Sequence, residues 1–138
     1  MQKREAMNRV DKIILAILAI EHLGFGIYGL YSPLSIAELV GYELKSEFAF
    51  SEMRANYAMF TALGLMAFFA IFFQSLARQT YVIYAFIFTS LILGRVLNYF
   101  LTGDLVTPII VATSAEIIVV LLCLLRLFFL RRKKENTD

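Results

Sequence analysis

Four stretches of this chain are each long and apolar enough to cross a lipid bilayer. They cover roughly 13–31, 55–73, 81–101 and 105–130. Each is close to the ~20 residues a helix needs to span a ~30 Å hydrocarbon core. Helices are forced there, because an unpaired backbone amide in lipid costs several kcal/mol and an open sheet has edges. Composition points the same way. The chain is 60% hydrophobic, against roughly 45–50% in soluble domains. The expected fold is all-α: a single integral membrane domain over 1–138, an up-down bundle of four transmembrane helices.

The connections fit four passes. "ARQT" (77–80) reads as a short hairpin between the second and third spans, and "TGDLVTP" (102–108) as the turn between the third and fourth. In that turn Gly103 suits a helix C-cap and Pro108 a first helical turn. The segment 32–53 is amphipathic: Ser32 before Pro33, apolar Leu34, Ile36, Leu39 and Val40, then Gly41 as a stop. It predicts a short helix on the membrane surface. Lys3, Arg4, Arg9, Lys12, Arg78 and the run Arg131, Arg132, Lys133, Lys134 fall on one side of a four-pass topology. Glu38, Glu43, Glu47, Glu52 and Asp104 crowd the other, with Lys45 and, at the boundary, Arg54. The positive-inside rule then places both termini in the cytoplasm, in the inner membrane. The first span reads as an uncleaved helix rather than a signal peptide, because Glu21 and His22 interrupt it and no small-x-small site follows.

"GFGIYG" (24–29) matches the G-x-G-x-x-G of dinucleotide-binding turns. That motif must follow a strand and open a helix. Here it lies within a membrane helix whose amides are already bonded, so the glycines read as positions of close helix approach. Gly24 is one turn from Glu21 and one from Tyr28. His22 is the only histidine and Cys123 the only cysteine. Together they offer neither bis-histidine haem ligation nor a metal-ligand set. No cofactor, metal or nucleic acid is expected, and no nucleophile elbow is present.

The polar residues at membrane depth are the informative ones. They are Glu21 in the first span, Arg54 entering the second, Arg95 in the third and Glu116 in the fourth. A charge at that depth costs several kcal/mol and must find a partner. Counted from the helix ends, all four fall in the outer half of the bundle, where long arginines can reach shorter glutamates. Tyr28, Tyr57 and Asn98, at helical spacing from them, and Asp104, in the turn after the third span, are secondary candidates.

Several readings stay open at this point. The leading one is a non-enzymatic protein with an outward-facing polar pocket for a small or lipid-like ligand, or an accessory subunit. Its partners would be the bilayer and a second copy or another membrane protein. The second is proton-coupled transport through Glu21. The third is a purely structural charge network that fixes helix register. Catalysis on a lipid or quinone-like substrate, with paired carboxylates as acid and base, is a weaker fourth.

Several pieces carry a family likeness: "EHLGFGIYGLYSP" (21–33), "SEMRANYAMFTALG" (51–64), "LGRVLNYFLTGD" (93–104) and "AEIIVVLL" (115–122). With them the chain resembles small, mostly bacterial, four-helix membrane proteins classed as a domain of unknown function. Most specific are Glu52-x-Arg54-x-x-Tyr57, Gly94-Arg95 and Gly103-Asp104. Where that family commonly has glycine after the tyrosine, this chain has Ala58. The resemblance implies the fold and the choice of polar residues, and no activity. "AILAIEHLG" (16–24) also looks like the first helix of small multidrug-resistance transporters, which use a membrane-embedded glutamate. Absence of tryptophan, embedded arginines and a strong charge bias set the chain apart from them.

Overall fold

In the computed structural model the described residues are 8–104 and 106–135, with side chains through 132. They form five helices: α1 (Arg9–Tyr31), α2 (Pro33–Val40), α3 (Glu47–Phe72), α4 (Gln74–Thr102) and α5 (Thr107–Glu135). No strand occurs among them. All but α2 are long and apolar enough to cross a membrane. Lys3 and Arg4, Leu105, and the side chains of Lys133 and Lys134 lie outside the described residues.

The helices outrun the apolar stretches that announce them. α3 begins at Glu47, eight positions before the apolar run, where the Ser46 hydroxyl accepts the Ala49 amide at 3.1 Å. Apolarity marks the depth of lipid, whereas helical hydrogen bonding continues until a cap stops it. The expected hairpin at 77–80 is corrected on the same grounds. "ARQT" contains no residue that ends a helix, and it lies inside α4. The break falls instead at Phe73, whose backbone is extended (φ −119°, ψ 96°). The other boundaries follow local chemistry. Pro33 opens α2 without needing a donor, and Gly41 closes it at φ 72°. Gly103, at φ 74°, ends α4 with its amide on the Tyr99 carbonyl at 2.8 Å. Pro108 sits in the first turn of α5.

The chain divides into two compact units, Met1–Ala77 and Arg78–Asp138. The core of the first is an antiparallel α1–α3 pair. Its register follows from the glycines: Gly26 lies against Thr61, Gly29 against the Tyr57 ring and Gly64 against Leu23. A Cβ on Gly64 would come within 2.6 Å of the Leu23 amide nitrogen, and one on Gly26 within 2.6 Å of the Thr61 amide nitrogen. Those obstacles are backbone, so the two helices touch where a side chain could not fit. Leu15, Leu18, Ala19, Leu63, Ala67 and Ala70 fill the rest of the seam. Pro33, Ile36 and Ala37 are the buried positions of α2.

Candidate functional site

Of the four charged residues expected at membrane depth, the structure joins two. In the second unit Arg95 of α4 grips Glu116 of α5. Arg95 Nε donates to both carboxylate oxygens, Oε1 at 3.1 Å and Oε2 at 3.0 Å, and Nη2 donates to Oε1 at 2.8 Å. Sequence explains the match in depth. Arg95 stands seven residues before the end of α4 and Glu116 nine after the start of α5, across a turn of only 103–106. At 1.5 Å per residue, both lie on the order of 10–14 Å from that turn. Glu116 shares the buried face of α5 with Val119 and Cys123, three and seven positions on.

The two partners are not equally buried. The Glu116 side chain is 7% exposed and that of Arg95 35%. The carboxylate is therefore desolvated and depends on the guanidinium for its charge balance. A guanidinium carries five N–H donors in a rigid fork. The contacts to Glu116 occupy the Nε–H and one Nη2 hydrogen. Among the described residues the Nη1 edge bonds to nothing. Arg95 is thus bonded to Glu116 on one side and open on the other among the described residues.

The neighbours complete this surface. Asn98, one turn beyond Arg95, is exposed, and its side-chain amide has no partner among the described residues. Tyr99 beside it is exposed as well. Thr102 Oγ1 donates to the Asn98 carbonyl at 3.0 Å and accepts the Asp104 amide at 3.2 Å. That contact fixes the turn and leaves the Asp104 side chain exposed. Thr113, a turn before Glu116, donates to the Ile109 carbonyl at 2.7 Å, so its hydroxyl is used within α5.

In the first unit Glu21 and Arg54 stand apart. Both are exposed, and neither has a hydrogen bond or ion pair among the described residues. The α1–α3 register sets Glu21 past the level of Gly64, about 18 Å along the axis from Arg54. Tyr57 serves packing: its ring covers Gly29 and meets Phe60 at 5.7 Å between centroids. Tyr28 points outward. Gly24, the glycine singled out beside Glu21, has open space around it, and Gly26 and Gly64 are the ones that bring the helices together.

His22 is buried, with Nδ1 donating to the Leu18 carbonyl at 2.9 Å and its ring 5.7 Å from that of Phe60. That is the hydrogen-bonded packing role a lone histidine usually fills. Among the described residues no three His, Cys, Asp or Glu side chains gather as a metal set would require.

Sequence reading missed one buried charge. Asp11 is almost wholly buried in the first turn of α1, where the helix dipole favours a carboxylate. The signal was available: Asp11, Leu15, Leu18 and His22 keep one helical face at i, i+4, i+7 and i+11.

A family model described as "Domain of unknown function (DUF4345)" matches residues 10–127. The chain belongs to this family. No curated protein and no solved structure matches it. The likeness to small multidrug-resistance transporters accordingly rests on residues 16–24 alone. The DUF4345 match takes in α2, α3 and α4, most of α1 and α5, and both members of the Arg95–Glu116 pair, so the clasp belongs to the family domain rather than to an appendage.

Proposed function

We propose that this protein is a non-enzymatic, multi-pass inner-membrane protein that holds a small amphipathic ligand at the Arg95–Glu116 clasp. The observation that carries this reading is the unequal burial of the pair. A clasp whose only task was to fix helix register needs no donor edge left open. Here the guanidinium is held rigid from one side and offered from the other, which lowers the ordering cost of binding. The experiment is a comparison of wild type with Arg95→Lys, both purified in mild detergent. Lipids and small molecules extracted from each are identified by liquid chromatography and mass spectrometry. A species retained by wild type and lost from Arg95→Lys is expected. Identical extracts would reject the site.

The bidentate geometry favours a second reading, in which the clasp is structural and binds nothing. Under it, Arg95→Lys would lower stability and leave the extract unchanged.

In the membrane, both termini face the cytoplasm and the α4–α5 turn faces outward. The lysine and arginine bias of the sequence supports this orientation. α2 lies along the outer surface, with Leu34, Leu39 and Val40 exposed on the side away from its buried Pro33, Ile36 and Ala37. Single cysteines at positions 43, 104 and 134 of a Cys123→Ser background test it. An impermeant maleimide added to intact cells should label the first two and spare the third; the reverse pattern would invert the topology.

A further inference from the structure

Resting on the ligand-binding reading above, we infer that the group recognised at Arg95 is the oxyanion of a lipid head group, a phosphate or a carboxylate. Three observations converge on that chemistry.

The first is the character of the open surface. What Arg95 leaves free is the Nη1 edge, and the polar side chain one turn on is the exposed, unpartnered Asn98 amide. Both present N–H donors, and a guanidinium edge fits the paired oxygens of phosphate or carboxylate better than any single acceptor. The nearest acidic side chain of the turn is Asp104. It lies two residues beyond the end of α4, which is itself about 10 Å from Arg95 along the axis.

The second is the fate of Glu116. An anion that pulled Arg95 away would strand a carboxylate that is 7% exposed. Docking on the Nη1 edge instead adds a second oxyanion while the first stays paired. The pair as it stands is formally neutral, so an anionic guest meets a donor array rather than a net negative charge.

The third is depth. The apolar stretch of α4 ends near residue 101, so Arg95 lies six residues, about 9 Å, below the outer end of that stretch. Its long stem carries the guanidinium outward, toward the level of ester and phosphate groups. The acyl chains of such a lipid would run from there toward the bilayer centre, past the half-buried Leu91 and Ile92 one turn before Arg95.

The test uses the full-length protein in nanodiscs of phosphatidylcholine, with or without a minority of phosphatidic acid, and native mass spectrometry of the lipids that stay bound. Wild type should retain phosphatidic acid over phosphatidylcholine by about tenfold relative to its share of the bilayer. Arg95→Lys keeps the charge and loses the fork. Asn98→Asp changes an exposed residue and sets a negative charge beside the edge. Each should bring the preference down to about parity while the unfolding temperature of Asn98→Asp stays at the wild-type value. Inorganic phosphate alone should not displace the lipid; displacement at equal concentration would make the ligand a soluble anion and overturn the lipid assignment. If a neutral amphipath is retained in an Arg95-dependent way and phosphatidic acid shows no preference, the head-group inference fails and the site stands. If no retained molecule depends on Arg95, both fall.

Discussion

Replacing Arg95 by alanine is expected to destabilise the protein by about 3 kcal/mol, the lower part of the range for breaking a buried ion pair. The lower part applies because a third of the arginine is already exposed. Most of the loss is the cost of leaving Glu116 charged and unpaired beside Val119 and Cys123. An asymmetry follows. Glu116→Gln leaves a guanidinium that can reach toward water, and should cost only about 1–2 kcal/mol. Arg95→Met combined with Glu116→Leu should return close to wild-type stability, since an apolar pair of similar volume carries no desolvation penalty. The check is thermal unfolding of the three variants beside wild type in one detergent. Equal losses for the two single variants, or a double variant no better than Arg95→Ala, would mean that the pair does not bear the load assigned to it.

The α1–α3 seam should be the other place where single substitutions do most harm. Gly26→Val and Gly64→Val each drive a side chain into backbone of the facing helix. Neither Thr61 nor Leu23 can yield by rotating a side chain, so the helices must separate. The expected cost is about 3 kcal/mol each, the upper end of ordinary overpacking. Gly24 and Gly94 are internal controls, because a Cβ there meets nothing within 4 Å. Gly24→Ala and Gly94→Ala should be neutral or stabilising by up to about 1 kcal/mol, through helix propensity alone. Thermal unfolding of the four variants side by side makes the comparison. A Gly24→Ala loss as large as that of Gly26→Val would place the seam on the wrong face.

Much of this was written in the sequence, and the exceptions have definite causes. Four membrane-crossing helices follow from four apolar runs, since lipid leaves the backbone no other choice. Helix ends were less legible, because they depend on caps and breaks rather than on apolarity. Ser46 starts α3 well before the lipid does, and the extended backbone of Phe73 separates α3 from α4 where no glycine or proline marks a break. The Arg95–Glu116 pairing was half legible. Counting from a short turn fixes the depth of both residues, whereas depth alone left Arg95 a choice between Glu21 and Glu116. Glu21 and Arg54 could not be placed by counting, because the register of α1 against α3 is set by contacts of Gly26 and Gly64. Those glycines read as close-packing positions, but nothing local says which face of α1 carries them; Gly24 looks the same in sequence and faces open space.

We propose that Arg95 is held by Glu116 on one edge and reads a ligand with the other. A structure of the protein determined in a lipid nanodisc tests it most directly, at a single atom. Nε and Nη2 should remain on Glu116, and an oxygen of a bound lipid head group should lie about 2.7–2.9 Å from Nη1, as charge-assisted bonds do. Nη1 bonded instead to a carboxylate of the protein itself, with no lipid density beside Asn98, would contradict it.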